Sequence, residues 1–133
     1  MRRLASLQPY VRSILRIVAA ATFSLHGMQK VLGMFGGMPG KGGAAAIATL
    51  PWIAGCLELA GGLLLVLGLF TVPVAFVLSG EMAAAYFMMH YPRGFFPIRN
   101  GGELAVVYCF VFLYLFVAGP GPLSLDALFR KKG

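Results

Sequence analysis

The chain has 133 residues, enough for one domain, but 59% of them are apolar and another 18 are glycine, far above the roughly 45–50% that the two classes make up in a soluble domain. With only 11% charged residues, an ordinary water-soluble globule is excluded, because a body of this size has too little interior to hide so much apolar surface. The net charge of +7 does not indicate nucleic acid: the bases collect at Arg2, Arg3, Arg12, Arg130, Lys131 and Lys132, beside apolar runs, and no basic stripe interleaves with aromatics.

A helix crossing a ~30 Å hydrocarbon core needs about 20 apolar residues, and four runs approach that length. The first is expected over about residues 11–32, ending in the cluster Gly33, Gly36, Gly37, Pro39, Gly40, Gly42 and Gly43. Pro51 to Tyr91 is nearly continuous apolar sequence, about twice one crossing, so it must turn once. The turn is expected at Gly68-Leu69-Phe70-Thr71-Val72-Pro73, with glycine closing one helix in a left-handed conformation and Thr71 capping the next. The second and third helices then cover about 46–69 and 72–90, and a fourth runs over about 102–118 until Gly119-Pro120-Gly121-Pro122 ends it.

None of these runs alternates polar and apolar residues as a membrane strand does, so the predicted fold is all-α. It is a single-domain, integral membrane four-helix up-and-down bundle. Bases at the two ends of the chain outnumber Lys41, Arg93 and Arg99 in the loops between them, which by the positive-inside rule predicts cytoplasmic termini. Arg2, Arg3 and the run Ala19-Ala20-Ala21 imitate a signal peptide, but Arg16 interrupts its apolar stretch.

Ionisable groups inside the runs carry the functional signal. Each costs about 2.5–3.5 kcal/mol near a bilayer centre unless it faces inward and finds a partner. Glu58 and Glu81 are expected near the midplane, Arg16 toward the cytoplasmic third, and His26, Lys30, His90 and Glu103 toward the outer face. Arg16, Ala20, Phe23, Gly27 and Lys30 recur on one helical face. That stripe is predicted to turn inward, pairing Lys30 or His26 with Glu103 and sending Arg16 toward Glu58 or Glu81. Two ionised carboxylates at Glu58 and Glu81 would repel unless a base lies between them.

Other motifs are weaker. Cys56 and Cys109 lack metal-ligand or redox spacing and read as small hydrophobes. No Glu-x-x-His pair occurs, so no metal is expected, and no nucleotide-binding or nucleophile-elbow pattern appears. Gly61-Gly62 allows a close helix approach, while Trp52, Tyr91, Phe95 and Phe96 read as an interfacial aromatic belt.

Several of these segments together resemble the DoxX family of small membrane proteins. They are Leu25-His26-Gly27-Met28-Gln29-Lys30, Leu57-Glu58-Leu59-Ala60-Gly61-Gly62, Glu81-Met82-Ala83-Ala84-Ala85, His90-Tyr91-Pro92-Arg93-Gly94-Phe95-Phe96-Pro97 leading to Asn100-Gly101-Gly102-Glu103, and Gly119-Pro120-Gly121-Pro122-Leu123-Ser124-Leu125-Asp126. The resemblance implies four membrane helices and an association with quinol-linked sulfur oxidation or thiol-stress complexes. The expected role is a membrane component of a redox system, with the charged cluster binding a quinone-like head group or carrying protons. Glu58 and Glu81 would move protons, and His26, Lys30 and Glu103 would hydrogen-bond the ligand. A non-catalytic docking scaffold with a structural polar core is the alternative, and a small transporter a third. Expected partners are the lipid bilayer, a membrane-bound or soluble redox enzyme and a second copy of the chain.

Overall fold

The computed structural model describes residues 2–132, with the side chains of Arg2 and Arg3 outside the described set. Helix α1 runs Arg2–Leu32, starting well before the expected boundary because its amphipathic first turns continue into the apolar run. Pro9 lies inside it, and Ser13 Oγ donates to the Pro9 carbonyl at 3.2 Å. A glycine-rich loop follows, in which the expected second helix does not begin until Leu50. There Thr49 is extended and Pro51 occupies the first turn, a position where its missing N–H costs nothing.

Helix α2, Leu50–Leu67, closes as the sequence predicts. Gly68 takes φ +66°, and the N–H groups of Gly68 and Leu69 reach back to the carbonyls of Leu65 and Leu64 at 3.1 and 2.9 Å, the paired bonds of a glycine-terminated helix. Helix α3, Thr71–Ala85, runs on through a π-helical turn at Tyr86–His90 and a 3-10 turn at Tyr91–Arg93. Thr71 does not cap it, contrary to expectation, since its Oγ1 is buried without a partner. The cap comes from Asp126, whose two carboxylate oxygens accept from Phe70 N–H and Thr71 N–H, each at 2.9 Å. The short α4, Pro97–Asn100, precedes α5, Glu103–Ala118, and α6, Leu125–Lys132, an element that apolar run lengths did not announce.

Among the described residues all regular structure is helical. Helix α1 packs along α2 and α3 along α5; α2 also touches α3, and α5 touches α1 more briefly. The core between them is made by Ala20 and Phe23 of α1, Leu65 of α2, Leu78 and Met82 of α3, and Phe112 and Leu115 of α5. Two helical stretches, Leu50–Leu67 and Thr71–Arg93, are long and apolar enough to cross a membrane, and Glu103–Ala118 is a shorter apolar helix.

The distribution of polarity is inverted relative to a soluble domain. Outward faces carry Leu57, Phe76, Phe110 and Val117, all exposed, while Ser13, Arg16, Ser24, Glu58, Ser79 and Asn100 are buried. Helices that are apolar on their outer faces and polar within suit a lipid environment.

Candidate functional site

Small residues set the site's depth. A Cβ added to Gly27 of α1 would lie 2.7 Å from the Gly55 carbonyl oxygen and 2.7 Å from Leu59 Cα, both on α2. Further along, a Cβ on Gly62 would meet Ser24 Cβ at 2.8 Å. Only glycine lets the two backbones approach this closely, as in small-residue contacts between membrane helices. The inward stripe is realised: Arg16, Ala20, Phe23 and Gly27 are buried and Lys30 half-buried.

At that contact Lys30 Nζ donates to Glu58 Oε1 at 2.6 Å. Glu58 is only 2% exposed, and its other oxygen, Oε2, is buried without a hydrogen-bond partner. Lys30 therefore does not pair with Glu103, as the sequence suggested. Glu103 is exposed at the start of α5, where a carboxylate is favoured by the helix dipole and needs no buried base.

Lys30 and Glu58 line a cavity of about 240 Å³ together with His26, His90, Tyr108 and Met82. Four of the seven sequence-predicted residues, His26, Lys30, Glu58 and His90, thus meet at one cavity. Glu81 is not part of its wall; both its carboxylate oxygens are buried without hydrogen bonds, within electrostatic reach of Glu58 and Lys30.

Arg16 is not part of the cluster at all. It is fully buried, but its Nη1 donates to the Pro120 carbonyl at 3.1 Å and its Nη2 to the Leu123 carbonyl at 2.6 Å. The reason is depth: Arg16 lies about two turns from Phe23, level with the α2–α3 turn. There Gly68 leaves room for the guanidinium, since a Cβ on it would sit 2.8 Å from Arg16 Cζ. The expected reach toward Glu58 or Glu81 is replaced by a clasp on the Gly119–Asp126 segment.

Three residues not counted among the sequence candidates also bear on the site: Tyr108 lines the cavity, and Asn100 and Tyr86 hold the loop beside its lining residues His90 and Gly101. Tyr108 packs its ring against Phe23 at 5.0 Å and near His26 at 6.3 Å between centroids. Its hydroxyl lies 2.9 Å from Thr22 Oγ1, which also lies within hydrogen-bond distance of the Val18 and Ala19 carbonyls, at 3.0 and 2.9 Å. Asn100, 1% exposed, donates through Nδ2 to the Gly94 carbonyl at 2.7 Å and to Tyr86 Oη at 3.2 Å, and accepts from Gly102 N–H at 2.8 Å. Tyr86 in turn donates to the Phe95 carbonyl.

This network ties down the Tyr91–Gly102 loop, whose Gly101 lines the cavity, and His90 Nδ1 joins it by donating to the Asn100 carbonyl at 3.2 Å. A buried asparagine before Gly101-Gly102 was the available signal. The π-helical turn at Tyr86–His90 is a local irregularity of the kind found at functional sites. Phe95 and Phe96 are exposed on the loop, as the interfacial reading expects. Cys56 and Cys109 are free thiols, and Cys109 contributes its carbonyl to Ser79 Oγ at 2.8 Å.

Chemically the cavity offers one cation and several acceptors in an apolar surround. Such an arrangement has the chemistry to hydrogen-bond a small polar group and to exchange protons with it. Its volume lies just below the ~300–1,000 Å³ of sites for drug-sized ligands, which suits a single-ring head group and not a dinucleotide.

A family model described as DoxX matches residues 11–91. An uncharacterized protein of Haemophilus influenzae is 47% identical over 135 residues, covering 99% of this chain and 100% of that protein. A second uncharacterized protein of the same organism is 33% identical over 85 residues, covering 63% of this chain and 56% of that one. No solved structure matches.

Proposed function

The chain belongs to the DoxX family of membrane proteins, and from that premise we propose that it is a multi-pass protein of the cell membrane serving a quinone- or thiol-linked oxidoreductase system. In this reading the four long helices are an up-and-down bundle with both termini in the cytoplasm, and the cavity at Lys30 and Glu58 receives a quinone-like head group. Support for the topology comes from the apolar outer faces and from the excess of Lys and Arg near the chain ends, which favours a cytoplasmic position.

The observation that carries the ligand reading is Glu58. A carboxylate at 2% exposure on a residue that lines a cavity, with one oxygen paired to Lys30 and the other buried without a hydrogen-bond partner, is costly to keep unless something uses it. Helix packing alone is satisfied by Ser and Thr, which this interior already contains. His26, Lys30 and His90 orient the head group, and Glu58 with Glu81 beyond it accepts or returns protons.

The test is purification of the tagged protein in mild detergent, followed by mass spectrometry of extracted lipid-soluble molecules and co-purifying proteins. A near-stoichiometric quinone or quinol, lost in Glu58→Gln, is expected. Preparations holding only phospholipid at full occupancy of folded protein would overturn the reading.

A scaffold role with a wholly structural polar core is the second reading, and Arg16 favours it. That buried charge clasps two backbone carbonyls through Nη1 and Nη2 and is not among the residues lining the cavity.

A further inference from the structure

The outward face of α1 carries a pattern that the cavity does not use. Leu4, Val11, Val18, Leu25 and Leu32 recur every seven residues, and Leu7, Ile14, Ala21 and Met28 each follow three residues after one of them. These are the two apolar positions of a coiled-coil heptad, kept along nearly the whole helix. The stripe lies opposite the buried Arg16 and Phe23; Met28 is half-buried and its other members are exposed.

We infer that this stripe is the contact surface for a second copy of the chain, the two α1 helices pairing in parallel about a two-fold axis along the membrane normal. The inference goes beyond the proposed role and needs no ligand at the cavity.

The period and the position of the stripe favour a helix over lipid. Lipid asks only that an outward face be apolar, whereas a strict seven-residue repeat holds a seam against another helix, because on a straight helix it drifts by about 20° per heptad. The stripe also outruns the bundle. Arg16 lies against Gly68, where α2 ends, and Leu4 stands about 18 Å further along the α1 axis at 1.5 Å per residue. Leu4 and Leu7 are exposed there, past the ends of the apolar helices, where acyl chains do not reach.

A second α1 meets these demands by construction. Copies inserted with one orientation present the same stripe at the same depth, running parallel, and a closed two-fold pair is the commonest assembly of identical chains. From Leu4 to Leu32 the charged side chains Arg12, Arg16 and Lys30, and His26 with them, fall outside both the seam and the positions that flank it. Two chains of net charge +7 therefore meet without like charges across the contact. Ala21, near the middle, lets the backbones come close.

Cysteine cross-linking in membranes and light scattering of the detergent-solubilised full chain test this. Val11→Cys, Ile14→Cys and Val18→Cys are each expected to give a disulfide-linked dimer on treatment with copper phenanthroline. Val77→Cys and Val117→Cys, exposed on α3 and α5, are not, and the unaltered chain with its thiols Cys56 and Cys109 sets the background. Light scattering is expected to give the mass of two chains. Leu4→Ser combined with Leu7→Ser, both at exposed positions, is expected to raise the dimer's dissociation constant at least about tenfold.

A monomer that cross-links at none of these positions overturns the inference and leaves the stripe to lipid. A dimer that cross-links through Val77→Cys or Val117→Cys and not through α1 overturns it by placing the contact elsewhere. An unchanged dissociation constant in the double serine variant overturns it too, since the seam beyond the bundle would then touch nothing. Should a cysteine variant not fold, the mass of the unaltered chain and the serine variant decide. Each readout is independent of what the cavity binds, so failure here and failure of the head-group reading are told apart.

Discussion

Lys30 Nζ and Glu58 Oε1 meet at 2.6 Å across the contact between α1 and α2, one helical turn from the point where Gly27 faces Gly55. The ion pair and the glycine contact are one feature, because the long lysine side chain reaches a nearly inaccessible carboxylate only when the backbones are this close.

Removing either partner leaves the other charge in an apolar site. Glu58→Gln and Lys30→Met are each expected to destabilise the protein by about 1.5–3 kcal/mol, the range for hydrogen bonds to charged groups, and the double variant by less than their sum. Thermal unfolding of the four proteins in one detergent measures the coupling; strict additivity would mean that the pair contributes no net stabilisation.

Gly27→Ala is expected to cost about 1–3 kcal/mol through overpacking, since the new methyl meets α2 backbone that cannot rotate away. Gly80→Ala on α3 is the matched comparison: nothing lies within 4 Å of its added Cβ, so the change should be neutral or stabilising by about 0.4–1 kcal/mol. Equal melting temperatures for the two variants would contradict the close approach of α1 and α2.

Asp126 caps a helix more than 50 residues away in sequence. Asp126→Ala should cost about 0.5–2 kcal/mol, as loss of a helix cap does, and Asp126→Asn less, because one acceptor oxygen remains. Hydrogen exchange at the amides of Phe70 and Thr71 reports it directly; those amides should exchange faster in the alanine variant, with the far end of α3 unaffected.

Arg16→Lys preserves charge but cannot span two carbonyls with a planar fork. The Pro120 and Leu123 carbonyls then compete for a single ammonium, and a loss of about 1–3 kcal/mol is expected. Limited proteolysis should cut between Gly119 and Asp126 sooner in this variant, while the 2.6 Å pair at Lys30 and Glu58, on a separate layer, remains. Unchanged cleavage would mean that the clasp does not hold the segment.

Much of the architecture was legible from local pattern. Run lengths, the Gly68-Leu69 helix end and the inward stripe from Arg16 to Lys30 are properties of one segment at a time. A 3.6-residue period states which face of a helix is buried whatever lies opposite. The family, too, could be recognised from short motifs, and the match over residues 11–91 agrees.

What only the tertiary structure decided was who meets whom. The sequence sent Lys30 or His26 to Glu103 and Arg16 to Glu58 or Glu81, because charge balance and estimated depth permit those pairings. The structure instead gives Lys30 to Glu58, leaves Glu103 exposed, and binds Arg16 to backbone carbonyls. Partner choice depends on the rotation and axial offset of one helix against another. Those are set by how closely Gly27, Gly55 and Gly62 let α1 and α2 approach, and by a chain end folding back so that Asp126 reaches Phe70 and Thr71. Both are relations between distant segments, so no periodicity within either segment contains them.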